Sequence, residues 1–213
     1  WLENDTSKAT AQWVKVQNKL TNDYLSQIPF RTALKNRLTK LMNYPKYGAP
    51  FRKNGKYYYF KNSGLQNQSV FYEQTGLTGE PQVLLDPNTF SSDGTVALSS
   101  LAFSKDGRYL GYAIARSGSD WNEIFVLDMQ TRKLLTDHIK WSKSSQIAWR
   151  GNGFYYSAFD APEAGKEYST KNEFEKVYYH TVGQSQSSDE LVYEDKQHAL
   201  RECYAQVTDD EKI

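Results

Sequence analysis

The residues able to do chemistry in this chain are few and scattered. The histidines, His138, His180 and His198, stand far apart, and none forms a His-x-x-x-His pair or joins a carboxylate at metal-ligand spacing. Each reads as a structural or surface histidine. Nucleophilic catalysis needs a positioned serine or cysteine, a base and an orienting acid. The Gly-x-Ser-x-Gly elbow, which exposes a serine on a strained strand-to-helix turn, is absent. Its nearest approach, Gly183-Gln184-Ser185-Gln186-Ser187, lacks the second glycine and falls in an expected hairpin turn. The lone cysteine, Cys203, excludes an intrachain disulfide and a cysteine-based zinc cluster, and reads as a small buried hydrophobe. Carboxylates are dispersed, so nothing selects a glycosidase pair, and no glycine-rich phosphate loop is present. These motifs describe a binding or gating module, with no metal or cofactor expected.

The elements that would position such residues are mainly β. The chain has 213 residues, enough to bury a core, and 16 Tyr, 10 Phe and 5 Trp, which pack best on the pleated surface of a sheet. With 26 Lys and Arg against 25 Asp and Glu, there is no field to attract nucleic acid or an anionic membrane, and neither is expected as a partner. No apolar run approaches the roughly 20 residues of a membrane-spanning helix. The chain opens on Trp-Leu-Glu with no initiator Met, which leaves the compartment open between cytoplasm and periplasm.

Two helices are expected first. From Asp5 to Gln27 the residues Ala9, Trp13, Val16, Leu20 and Tyr24 step by three or four, with Asp5 or Thr6 as N-cap and Pro29 as the stop. The second carries Phe30, Ala33, Leu34, Leu38 and Leu41 on one face and a solvated basic face of Arg31, Lys35, Arg37 and Lys40. Two such stripes cannot bury each other well, so they call for a further surface to dock on.

After Tyr44 a hairpin motif recurs. Strand candidates Lys56 to Phe60 and Ser69 to Glu73 flank a polar turn, and an aromatic or apolar residue, an Asn-Gly or Asp-Gly turn and an aromatic strand repeat. The motif appears as FRKNGKYYYF at Phe51, FSKDGRYLGY at Phe103, WRGNGFYYSA at Trp149 and, degraded, VTDDEKI at Val207. A spacing near fifty residues, with a second hairpin inside each unit, is the pattern of β-propeller blades. Three units and the start of a fourth would leave an unclosed array with exposed edges, which predicts either a piece of a larger protein or closure by other chains. Longer excursions at 86–93, 117–121 and 160–172 interrupt the units, the last expected as a mobile rim loop.

Several stretches resemble the prolyl oligopeptidase family of serine peptidases. They are the opening WLE with AQWVKVQNKLTNDYL, YPKYGAPFRKNGKYYYFKNSGLQNQSVFYEQ, LLDPNTFSSDGTVAL, AFSKDGRYLGYAIARSGSDW and EFEKVYYHTVGQSQSSDELVYED, in order along nearly the whole chain. The resemblance implies a seven-bladed propeller capping an α/β-hydrolase domain. Residues 1–43 would be a helical arm on that hydrolase domain, and 44–213 the first three blades and the start of a fourth. It implies cleavage of short peptides after proline, with the propeller restricting access and the catalytic Ser, Asp and His lying beyond this chain. By the same resemblance, Asp120 in SGSDW matches an interface acid that pairs with a substrate-binding arginine of the hydrolase domain. Two departures unsettle the subsites: Lys143-Ser144-Ser145 stands where Lys-Phe-Ser is usual, and Ser99 where some members carry Arg. Cys203 lacks the context of the family's subsite cysteine. The rival reading is a non-catalytic propeller that binds peptides or proteins as a scaffold.

Overall fold

The computed structural model describes residues 1–4 and 6–211. The chain divides into two compact units, Trp1–Lys46 with Asn62–Leu65, and Tyr47–Lys61 with Gln66–Ile213.

The first unit holds helices α1 (Lys8–Ser26) and α2 (Arg31–Met42). Ser7 caps α1, its Oγ accepting the Thr10 N–H at 3.1 Å. The cap is therefore Ser7 and not Thr6, which precedes it; the other expected cap, Asp5, lies outside the described residues. Several cap-forming side chains stand in a row here, and Ser7 is the one whose hydroxyl reaches an orphan N–H. The apolar stripe stays open: Trp13, Val16, Leu20 and Tyr24 are between 42% and 71% exposed, and Leu34, Leu38 and Leu41 of α2 about half exposed.

The second unit is built from strands β1 (Lys46–Tyr47, which begins on the last residue of the first unit), β2 (Phe51–Lys53), β3 (Lys56–Asn62), β4 (Val70–Thr75), β5 (Gln82–Leu85), β6 (Val96–Phe103), β7 (Tyr109–Arg116), β8 (Asn122–Asp128), β9 (Lys133–Ser142), β10 (Ala148–Arg150), β11 (Gly153–Ala158), β12 (Lys176–Thr181) and β13 (Glu190–Glu194). Among the described residues these form three sheets. In the first, β2, β3, β4 and β5 pair antiparallel in order and β1 adjoins β3; the second runs β6-β7-β8-β9 and the third β10-β11-β12-β13. Each of the three expected repeats is thus one up-and-down sheet. Among the described residues the degraded fourth repeat forms no strand, 202–208 being irregular; Lys212 and Ile213 lie outside the described residues.

The turns explain the pairing. Asn54 (φ 46°) and Gly55 (φ 80°) both take the left-handed conformation that a two-residue hairpin demands, which sets Lys53 opposite Lys56. In the third repeat the positive φ belongs to Gly151 (54°), not to the Asn-Gly pair, because Gly153 already sits in β11. Its glycine is needed for a different reason: a Cβ would collide with the His180 carbonyl of the paired β12.

Period-two alternation divides β7 between two cores. Tyr109 and Ala113 pack with Ile124, Val126, Ile139, Trp149 and Phe154 toward the third sheet, whereas Leu110, Tyr112 and Ile114 pack with Tyr58, Phe71 and Leu85 toward the first. Polar links recur at the repeat interval. The Asn54 amide donates to the Asp106 carbonyl, Trp149 Nε1 to the Ala102 carbonyl at 2.9 Å, and Ser157 Oγ to the Cys203 carbonyl at 2.6 Å. The near-fifty-residue spacing of the sequence is therefore also the spacing of the contacts that join one sheet to the next. A third small core of Tyr155, Val177 and Cys203 fixes the irregular segment after β13 against the third sheet.

Candidate functional site

The loop 117–121 leaves β7 with Ser117 (φ 51°) and Gly118 (φ 72°) in left-handed conformations. Hydrogen bonds on both sides then hold it. The Ser119 N–H donates to the Arg116 carbonyl at 2.9 Å, the Trp121 N–H to Ser119 Oγ at 3.0 Å, and Asn122 Nδ2 to the Asp120 carbonyl at 3.0 Å. The Asp120 backbone is fixed while its side chain stays exposed, and its carboxylate has no hydrogen-bond or ion-pair partner among the described residues.

Trp121 anchors the neighbourhood. Its ring meets Trp141 edge-on at 5.5 Å and Phe159 at 6.1 Å, Lys143 Nζ lies 4.2 Å from its centroid, and its Nε1 donates to the Glu167 carbonyl at 2.8 Å. That last bond ties down the 160–172 excursion at one point. On the next loop Ser144 takes φ 47°, and Ser145 Oγ accepts the Ser157 N–H at 2.8 Å. The result is a cleft of about 370 Å³ lined by Asp120, Lys143, Ser144, Phe159, Glu175 and Cys203, among others.

The structure brings Asp120, Ser144 and Cys203 together, although the sequence separates them by many residues. Ser99 is elsewhere. The register of β6 against β7 shifts between Leu98 and Ser100, leaving Ser99 as the bulged residue beside a separate cleft with Gln68 and Leu101. Gln68 joins two of the sequence blocks noted above: its Nε2 donates to the Val96 carbonyl at 2.7 Å, and its Oε1 accepts the Leu98 N–H at 3.0 Å.

Reasoning from sequence missed Glu175, because its place in the cleft depends on the chain folding back after β13. Its Oε2 accepts the Cys203 N–H at 2.7 Å, and burial raises its carboxyl above the ordinary range. Burial likewise pushes the Cys203 thiol up, away from the thiolate that a nucleophile needs. Among the described residues the histidines bond carboxylates and no hydroxyl or thiol: His138 Nε2 lies 2.6 Å from Glu123, His198 Nδ1 3.0 Å from Asp195, and His180 sits between two aspartates. Gln186 and Ser185 of the weak elbow match belong to a short 3₁₀ turn and its cap. Among the described residues no group of His, Cys, Asp and Glu is arranged to hold a metal. The cleft's chemistry is reception: a rigidly presented carboxylate is disposed to accept a cation or a hydrogen-bond donor.

Stacked repeats of four or five strands, each continuing the core of the one before, define a propeller-type module. The chain belongs to the prolyl oligopeptidase family, whose "N-terminal beta-propeller domain" model matches residues 1–213. Curated relatives include prolyl endopeptidases of Elizabethkingia meningoseptica, 46% identical over all of this chain, and of Elizabethkingia miricola, 44% identical over all of it. The chain spans about 30% of the length of both. Among solved structures, prolyl oligopeptidase B of Galerina marginata bound to a 35mer hydrolysis and macrocyclization substrate superimposes with a TM-score of 0.86 at 29% identity, covering 100% of this chain and 32% of that one. A structure from a study of two prolyl endopeptidases matches with a TM-score of 0.71 at 35% identity, covering 99% of this chain and 30% of that one.

Proposed function

We propose that this chain is the N-terminal part of a serine endopeptidase that cleaves short peptides after proline. The observation that carries this reading is the match, end to end at 46% identity, to a relative named as a prolyl endopeptidase. In this reading the three sheets are the first three blades of a seven-bladed propeller and the segment after β13 starts the fourth. Residues 1–43 are an arm whose open apolar stripe docks on an α/β-hydrolase domain that supplies the Ser, His and Asp. The propeller admits short proline-containing peptides and excludes folded proteins, which contributes selectivity and positioning in place of bond-breaking.

Asp120 pairs in this reading with an arginine of the hydrolase domain that holds the substrate. Its fixed backbone and unengaged carboxylate support that role, since a carboxylate orients a guanidinium through two parallel hydrogen bonds. The test is cleavage of a chromogenic peptide with proline before the scissile bond, by the intact protein and by this chain alone, each with and without a serine-reactive inhibitor. Inhibitor-sensitive cleavage by the intact protein and none by the chain alone is the expected outcome. Inactivity of both would favour a non-catalytic, peptide-binding propeller.

A further inference from the structure

The join between the second and third sheets contains a closed set of ionisable groups that the cleft does not use. His180 on β12 and Asp137 on β9 are fully buried, and the Asp189 side chain, just before β13, is 2% exposed. His180 Nε2 lies 2.8 Å from Asp137 Oδ1, and Nδ1 lies 2.7 Å from Asp189 Oδ1. The Gly183 N–H donates to Asp137 Oδ1 at 2.6 Å, and the Tyr156 hydroxyl on β11 donates to Asp189 Oδ2 at 2.7 Å. Gln186 Nε2 donates to the β9 carbonyl of Lys140 at 3.0 Å, and its Oε1 accepts the Lys140 N–H at 3.0 Å. Both ring nitrogens thus face carboxylates that already accept hydrogen bonds from elsewhere, an arrangement that calls for a proton on each nitrogen.

We propose that Asp137, His180 and Asp189 form a pH-sensitive clasp between β9 of the second sheet and β12–β13 of the third, closed by the imidazolium and loosened when it loses its proton. The groups that face the ring are few. Asp137 comes from β9 and Asp189 from the approach to β13; Tyr156 of β11 acts through Asp189, with Tyr178 stacked on it at 5.7 Å, and the uncharged Phe154 ring lies 5.2 Å away. Burial alone would lower the imidazole pKa, but the hydrogen bonds and charges of the two aspartates raise it from 6.5 to about 9. Burial would raise the Asp137 carboxyl, yet His180 and the Gly183 N–H hold it below its ordinary value.

The sign follows. A histidine whose folded pKa exceeds its unfolded one contributes stability that is complete below pH 6.5 and lost as pH rises through about 9. The aspartate's contribution is lost at the other end, as pH falls through its lowered pKa.

The experiment is equilibrium unfolding of the full-length protein and its His180→Gln variant from pH 6 to 10. Relative to the variant, the wild-type unfolding constant should rise by up to about tenfold per pH unit between 6.5 and 9. Parallel curves across that range would overturn the clasp. Should the variant not fold, neutron diffraction on wild-type crystals at pH 8 decides: deuterium on both His180 nitrogens supports the proposal, and a neutral ring refutes it.

Discussion

Asp120 and Asp137 belong to the same β6–β9 repeat, one on a connecting loop and one in a strand, and their surroundings are opposite. Asp137 is fully buried in β9, with one oxygen taking hydrogen bonds from His180 and from the Gly183 N–H. Asp120 precedes β8 on a loop whose backbone is held from both sides, while its carboxylate faces outward with no partner among the described residues. A buried acid with one oxygen held by two donors, and the other closed off from water without a partner, is committed to the fold. An acid on a rigid backbone with its charge unspent is available to another molecule. The difference lies in what surrounds each group, since the residue type is identical.

The comparison can be pressed from its stability side first. Asp137→Ala should leave His180 with one missing partner in a dry join and lower the unfolding free energy by about 3–5 kcal/mol in urea titrations, as removal of one member of a buried pair does. A cost below about 1 kcal/mol would show that the cluster is not closed to water. Gly153→Ala should follow, since its Cβ would strike the His180 carbonyl across β11 and β12; a loss of about 1–3 kcal/mol is expected by thermal melting. Unchanged melting would mean that the two strands part easily at that point. Lys143→Ala removes the ammonium lying 4.2 Å from the Trp121 ring, and should cost only about 0.5–1 kcal/mol. A larger loss would reveal that Lys143, and not the aromatic contacts, holds the loop beneath Asp120.

Much of the fold was legible because its signals are local. Hairpin turns and alternating aromatics place β3 and β4 within a residue or two of their expected ends, the strands running on to Asn62 and Thr75 as the pairing extends from Lys56 opposite Thr75 to Lys61 opposite Val70. Helix α1 was legible from its stripe, while its cap fell to Ser7 because a choice among adjacent cap-formers depends on geometry. Cys203 reads correctly as a small buried residue for the same compositional reason. The buried cluster was invisible: Asp137 and His180 lie 43 residues apart and meet only because two sheets stack. Asp120 is intermediate. Its loop carries no catalytic pattern, and it stood out only through the SGSDW block of the resemblance. The cleft that gives it company is assembled from segments as distant as 120, 144, 175 and 203.

We propose that the unengaged carboxylate of Asp120 serves the reaction while contributing nothing to the fold. The direct measurement is Asp120→Asn in the full-length protein, following kcat/KM on a proline-containing chromogenic peptide alongside the melting temperature. An unchanged melting temperature with kcat/KM lowered by about tenfold or more is expected, the loss that follows when a hydrogen bond to a charged group is weakened. Unaltered kinetics, or a fall in activity matched by a fall in melting temperature, would contradict it.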